Sequence, residues 1–415
     1  MADADSTGAD HARPGRWLSI VGLGEDGVAG LSPRARVLIA GAARVYGGRR
    51  HLALAGELLA GEAVVWPTPF EAGLAEVLAR RGRPVCVLAS GDPFLFGVGA
   101  SLARHVDPAE MEVVPAPSAF SLAASRLGWA LPEVSCLSLC GRPLDLLRPH
   151  LHDGRRILAL SPDAGGPAAV AALLAARGFG GSRLQVLEAL GGPRERRRAT
   201  VAAAFALTDI DPLNLVAIEV VAGADARVVA LTPGRPDELY EHDGQLTRHE
   251  MRALTLAALA PRRGELLWDI GAGAGSVGIE WMLVDPSLRA IGIEERAERA
   301  ARARRNAAAL GVPGLVVVEG RAPDALAGLP VPDAIFIGGG ASEPGVLDAA
   351  VAALRPGGRL AANAVTLETE ALLLARHARQ GGDLLRVALS RAAPVAGMTG
   401  WRPAMPVTRW SWVKP

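Results

Sequence analysis

The segment WDIGAGAGSVGIE, Trp268–Glu280, sets an acid and three alternate glycines where a buried strand would turn into a helix. Asp269 precedes the turn, and Gly271, Gly273 and Gly275 form it with Ala272 and Ala274 between them. Residues of so little bulk let backbone amides approach a ligand, and the helix that follows offers its positive, amide-rich end. Glu294 ends the next β-branched run, at about the distance where an acid meets a ribose diol in such sheets. This is chemistry for a nucleoside-bearing cofactor. Gly273, Gly275 and Gly278 also satisfy G-x-G-x-x-G, so a nicotinamide dinucleotide is a second reading of the same loop.

Three segments in the first half also join strand ends to tight turns. SIVGLGEDG at Ser19–Gly27 runs a strand into a Gly turn. LASGDPFLFGVG at Leu88–Gly99 ends a buried strand in Ser90, Gly91, Asp92 and Pro93, then turns through Phe94 and Leu95. VPAPSAFSLAASRLG at Val114–Gly128 offers Ser118 as the N-cap of the next helix. Each alone could simply be a turn that holds strands together.

Such loops need a layered scaffold. WLSIVGLG, AVVW, PVCVLAS, MEVVPA, SCLSL, RRILALS, RLQVLEAL and NLVAIEVV read as buried strands, with helices among them at Pro33–Gly41, Glu71–Arg80, Ala119–Leu127 and Pro167–Arg177. This alternation predicts an α/β domain over residues 16–232. Residues 1–15, with Asp3, Asp5 and Asp10, read as a disordered leader without a signal-peptide pattern. The Pro, Gly and charges of residues 233–244 read as a linker. A second α/β run follows over 245–415: helix Arg248–Ala260, strands in ELLWDIGAG and RAIGIEE, helix Arg296–Leu310, and strands in GLVVVEG and PDAIFIGGG. It continues with a helix at Val346–Leu354, the strand of GGRLAANAV and further strands in the tail. It predicts a Rossmann-like, doubly wound sheet.

Composition narrows the classes. A chain of 415 residues exceeds one ordinary core, and a formal charge of +1 gives no electrostatic case for a nucleic-acid binder. Lys414 is the sole lysine, which argues against Schiff-base and P-loop chemistry. The abundant arginines suit a substrate with several carboxylates. Cys86, Cys136 and Cys140 lack metal-ligand spacing and the eight histidines do not group with them, so no metal is expected. No apolar run reaches the length of a membrane span; the reading is a soluble, cytoplasmic protein.

The Asp269 loop resembles the hydrophobic-acid-x-GxGxG pattern of class I methyltransferases. ARARRNAAALGV after Glu294 and VEGRAPDAL after the third strand are similar to that family's next helix and adenine-contacting segment, which implies S-adenosylmethionine in the second domain. Together, the three first-half segments resemble the tetrapyrrole (class III) methyltransferases. In that family the GxG turn, the GDP segment and the P-x-x-[ST]-[AS] segment converge on S-adenosylmethionine in a cleft between two α/β lobes. The implied contacts are Leu23, Ser90, Gly91, Asp92, Leu95, Ser118 and Ala119, with Gly22 and Gly24 shaping the turn.

This pairing resembles the fused precorrin-6Y methylases of cobalamin biosynthesis. SLCGRPLDLL, LEALGGPRERRRAT, PLNLVAIE, LTRHEMRAL, AANAVTLET and GMTGWRPAMPV also carry the resemblance. It implies Thr247, Gly271–Gly275, Glu294 and Ala322 as cofactor contacts in the second domain, and one S-adenosylmethionine per domain. It further implies a precorrin macrocycle as substrate and a homo-oligomer. The activity implied is methylation at carbons 5 and 15 with decarboxylation of the ring C acetate arm, giving precorrin-8X. Another tetrapyrrole, or the cobalt-containing intermediate, is the alternative substrate. Cys140 departs from the family, which carries His before Gly-Arg.

A reduced tetrapyrrole is enamine-like at its bridging carbons, and its protonated, conjugated ring can serve as the electron sink for decarboxylation. Little beyond alignment and water exclusion is then asked of the protein. Asn363 and Glu368 are candidates for contacting the macrocycle, although NAVTLET also fits a capped helix start. Arg248 and Arg252 are candidates for its carboxylates, or else a solvated helix face.

Overall fold

The computed structural model describes residues 15–415, so all but the last residue of the expected leader lies outside the described residues. The chain forms two compact units. The first holds residues up to Arg142 and Asp153–Ala226; the second holds Pro143–His152 and Arg227–Pro415.

Two sheets build the first unit. β1 (Leu18–Leu23), β2 (Arg44–Gly47), β3 (Glu62–Val65), β4 (Val85–Ser90) and β5 (Met111–Val114) form a parallel sheet in the order β3-β2-β4-β1-β5. LSIVGL and VCVLAS are apolar on both faces because both are covered. Val21, Leu23, Cys86 and Leu88 enter one core cluster and Leu18, Ile20, Val85 and Val87 the other, the two-residue alternation of a strand. The helices on this lobe are α1 (Pro33–Ala40), α2 (Arg49–Ala55), α3 (Phe70–Leu78) and α4 (Val98–Leu102). α5 (Ala119–Leu127), N-capped by Ser118 as expected, precedes a mixed sheet. Its strands are β6 (Val134–Ser138), β7 (Arg156–Leu160), β8 (Arg183–Glu188), β9 (Arg196–Val201) and β10 (Asn214–Glu219), in the order β6-β7-β10-β8-β9, with α6 (Gly166–Ala176).

β2, β9, α2 and α4 escape the hydrophobic pattern. β2 and α4 are too short to establish a period, and α2 begins with the charged run Arg49, Arg50 and His51. β9 is an arginine-rich edge strand, held by charge: Arg196 and Arg198 both donate to the buried Glu188.

The second unit has α7 (His249–Leu259), β11 (Leu266–Ile270), α8 (Ser276–Met282), β12 (Arg289–Glu294), α9 (Ala297–Leu310) and β13 (Val316–Glu319). β14 (Ala334–Ile337), α10 (Val346–Ala353), β15 (Arg359–Ala364), α11 (Leu367–Gln380) and β16 (Asp383–Val387) follow. A hairpin, β17 (Ser390–Val395) and β18 (Met398–Pro403), precedes β19 (Val407–Val413). The seven-stranded sheet runs β13-β12-β11-β14-β15-β19-β16, with β19 antiparallel to both neighbours. Strand order reverses between β11 and β14, the switch point where open α/β sheets bind ligands.

The expected linker is packed rather than loose. Arg235, Asp237 and Tyr240 are buried, because the buried Glu280 of α8 receives Gly234 N–H, Arg235 N–H and the Tyr240 hydroxyl. Among the described residues no helix is long and apolar enough to cross a membrane.

Candidate functional site

Each unit contains one cavity built on its glycine turns. In the second unit β11 ends at Ile270, and Gly271 follows at φ +73. A Cβ on Gly271 would lie 2.8 Å from both the amide nitrogen and the carbonyl oxygen of Gly339, so the turns after β11 and β14 touch through backbone. Asp269 is buried, and its Oδ2 accepts a hydrogen bond from Gly278 N–H at 2.9 Å. Glu294 Oε2 accepts from Gly273 N–H at 2.8 Å and Oε1 from Arg296 N–H at 3.0 Å, which ties the loop to the end of β12. A carboxylate has about four acceptor positions, so Glu294 keeps capacity for hydroxyl groups.

The cavity holds about 950 Å³, near the top of the roughly 300–1,000 Å³ usual for ligand sites. Thr247, Arg248, Asp269, Gly271, Ala272, Gly273, Ala274, Glu294, Ala322 and Asn363 line it. Asn363 Nδ2 donates to Thr255 Oγ1 at 3.2 Å, while its Oδ1 is buried without a partner. Gly338, Gly339, Gly340 and Met405 line it too, and the sequence reading passed over them. The triple glycine after an apolar strand was the available signal.

Three expectations for the second unit are corrected. Arg252 is fully buried, donating to Glu280, Asp237 and the carbonyls of Thr247 and Arg235; it faces neither substrate nor solvent. Its effect on the cavity is indirect, through Thr247. Glu368 is exposed on the first turn of α11, outside the lining, where Thr366 caps the helix by accepting from Thr369 N–H at 3.4 Å. Gly275 also lies outside the lining; it caps α8 at φ +77, where a Cβ would come 3.0 Å from Ala303 of α9.

Burial pushes the Asp269 carboxyl up to about 7, aided by the charge of Glu294 and opposed by the Gly278 amide. A raised value means that the ligand-free fold favours protonated Asp269 and loses stability as pH rises toward 7. A cationic ligand group at this carboxylate reverses the preference. If S-adenosylhomocysteine occupies the second cavity, as the resemblance of this loop implies, its binding should therefore tighten about tenfold per pH unit up to about pH 7 and then level off. Calorimetric titration of the wild type against Asp269→Asn checks this, since the variant should lose that pH dependence.

In the first unit the cavity is about 420 Å³ and largely apolar, with Leu88, Phe120, Leu187 and Leu215 among its walls. Leu23, Gly24, Ser90, Gly91, Leu95, Ser118 and Ala119 line it, whereas Gly22 and Asp92 are not in its lining. Gly22 sits under the Gly91 carbonyl: a Cβ there would come 1.9 Å from that oxygen. Asp92 is turned into its own loop, with Oδ1 accepting from Phe94 N–H at 2.8 Å. That hydrogen bond gives Asp92 a turn-forming role in place of direct lining.

A polar cluster missed by the sequence reading lies beside Ser90. His51 Nε2 and Arg50 Nη2 each approach Ser90 Oγ at 2.8 Å, and Arg50 pairs with Glu25. Burial, with Arg50 beside it, pushes His51 down to about 4, so the imidazole is neutral near pH 7. GGRRH after a short strand was the only local signal. Cys140 lines the same cavity and its Sγ donates to Ser161 O at 3.2 Å, which assigns it no chemistry. Among the described residues no group of His, Cys, Asp and Glu could hold a metal ion.

Comparison with known families matches residues 18–206 to the tetrapyrrole (corrin/porphyrin) methylases and residues 238–414 to the precorrin methyltransferase domain. A relative from Sinorhizobium sp, named precorrin-6Y C(5,15)-methyltransferase (decarboxylating), is 61% identical over 99% of this chain and 100% of its own. The chain belongs to this family. A precorrin-6Y C(5,15)-methyltransferase of Mycobacterium tuberculosis is 42% identical over 96% of this chain and 100% of its own. The solved C-terminal domain of the Rhodobacter capsulatus precorrin-6Y C5,15-methyltransferase is 51% identical, covering 45% of this chain and 100% of that one, with a TM-score of 0.43. Membership among the precorrin-6Y methyltransferases makes S-adenosylmethionine the methyl donor and sets aside the nicotinamide reading of Gly273–Gly278.

Proposed function

We propose that this chain methylates precorrin-6Y at carbons 5 and 15 and decarboxylates the ring C acetate arm, giving precorrin-8X. The observation that carries the reading is the presence of two unrelated glycine-turn cavities in one chain that is 61% identical, over 99% of its length, to a decarboxylating methyltransferase. In this reading residues 16–232 form the carbon-5 module, and residues 245–415, joined through 233–244, form the carbon-15 and decarboxylating module. Each module binds one S-adenosylmethionine, which supplies an electrophilic methyl group on a sulfonium.

The residues present fit that molecule. In the second module Asp269 would take its ammonium end and Glu294 its ribose, with Thr247, Gly271–Ala274 and Ala322 around them. In the first, Gly24, Leu23, Ser90, Gly91, Leu95, Ser118 and Ala119 would enclose it, with Gly22 and Asp92 shaping the turns. Apolar walls exclude water, and alignment of the acceptor carbon is the main contribution asked of the protein. The unpartnered Asn363 Oδ1 is an acceptor available to a pyrrole N–H, and Arg248, half exposed beside Asp237, is a cation for an acetate or propionate arm. The same reading makes the enzyme cytoplasmic and a homo-oligomer.

Incubation of the full chain with precorrin-6Y and S-adenosylmethionine should yield a product heavier by two methyl groups and lighter by one carbon dioxide. Methylation without loss of carbon dioxide, read by mass spectrometry, would remove the decarboxylation from the second module.

A further inference from the structure

The mouth of the first unit's cavity carries two features that the cofactor contacts named above do not include. Phe96 is in the left-handed backbone region at φ +58, the one aromatic residue among the described non-glycine residues with positive φ. A side chain of that size resists this conformation because its Cβ crowds the backbone, so neighbouring bonds must impose it. They do: Asp92 Oδ1 receives Phe94 N–H at 2.8 Å, and Gly99 N–H donates to Pro93 O at 2.9 Å. The strained turn delivers the ring to the rim. It packs 5.9 Å from Phe120, centroid to centroid, lines the cavity and remains 44% exposed.

Arg142 is the second feature, its guanidinium 5.3 Å from the centroid of the Phe96 ring. It is exposed, and among the described residues no carboxylate pairs with it, whereas Arg50 on the same cavity is paired with Glu25. Behind these two side chains the cavity walls are largely apolar. An unneutralised guanidinium stacked on an aromatic ring, at the rim of an apolar slot, suits a flat conjugated ligand that bears carboxylates.

We propose that Phe96 and Arg142 clamp the acceptor of the first module, the ring as an apolar wall and the guanidinium on one of its carboxylates. This rests on the reading of the cavity as a methylation site for a tetrapyrrole. It goes beyond that reading in naming two side chains at the cavity mouth for the acceptor, neither of them among the contacts assigned above to the methyl donor.

The test is steady-state kinetics of the full chain with precorrin-6Y varied and S-adenosylmethionine saturating, carbon-5 methylation being followed separately from carbon-15 methylation by fragment mass. Arg142→Gln should raise the KM for carbon-5 methylation about tenfold or more, with kcat and S-adenosylhomocysteine affinity nearly unchanged. Arg142→Lys should recover part of the loss. Phe96→Gly accepts the backbone conformation, which offsets part of the packing lost against Phe120, so the variant should fold while still raising KM. If Arg142→Gln leaves KM within about twofold of wild type, or if Phe96→Gly moves the melting temperature alone, the clamp is wrong. If the wild type places no methyl group on carbon 5, the underlying reading fails and takes the clamp with it.

Discussion

Replacing Glu280 by Ala should destabilise the second unit by about 3–5 kcal/mol, from a position outside the cavity lining. Glu280 is fully buried and receives Gly234 N–H at 2.6 Å, and Arg235 N–H, the Tyr240 hydroxyl and Arg252 Nε each at 3.0 Å. Two arginines share its charge. Arg252 is 3.0 Å away, and Arg235 Nη1, at 3.7 Å, has no hydrogen-bond partner of its own. Burial already holds the Arg235 guanidinium below its usual value, so losing the carboxylate leaves an uncompensated cation in the interior. Removing one member of such a cluster costs far more than the cluster contributes as a whole.

The damage should reach the cavity, since Arg252 also holds the Thr247 carbonyl, and Thr247 lines that cavity. Urea unfolding of the full chain, together with S-adenosylhomocysteine titration, measures both effects. Glu280→Gln keeps the shape and part of the hydrogen bonding, and should fall between wild type and Glu280→Ala. Coincident unfolding curves for wild type and Glu280→Ala would refute this account of the network.

Gly22→Ala should lower carbon-5 methylation about 100-fold while sparing carbon-15 methylation and decarboxylation. The added methyl would meet Gly91 O at 1.9 Å and Ala116 N at 2.6 Å, and both are backbone atoms. No rotamer can relieve that contact. Gly22 pairs with Ala89 in the β1–β4 register, Gly91 N–H donates to Leu23 O at 3.2 Å, and Ala116 N–H donates to Gly91 O at 3.1 Å. The substitution therefore forces apart the turns that carry Ser90, Gly91 and Ser118 into the lining. Overpacking of this kind costs about 1–3 kcal/mol of stability, which a thermal melt would register alongside the lost activity. Equal loss at both carbons would mean that the two modules do not act separately.

Patterns with short range were legible. The apolar runs of β1, β4, β11 and β12 and the glycine turns after them read correctly because their period and punctuation are local properties. β9 was not legible, since an arginine-rich edge strand has no apolar period and is defined by Glu188, which reaches it from β8. Arg252 illustrates the same limit. Beside Arg248 on one turn it reads as a solvated or substrate-facing cation, yet Glu280, 28 residues away in sequence, draws it inside.

The sequence by itself determined that the chain alternates strands and helices in two α/β runs and where glycine turns follow the strands, because glycine spacing and strand periodicity are written residue by residue; that Pro143–His152 joins the second unit was not written there. Tertiary structure decided which side chains meet. It joined Asp269 to Gly278, Glu294 to Gly273, and Ser90 to His51 and Arg50, and left Asn363 Oδ1 without a partner. It removed Glu368, Arg252 and Gly275 from the lining. Burial and hydrogen bonding are sums over neighbours distant along the chain, and only folding brings those neighbours together.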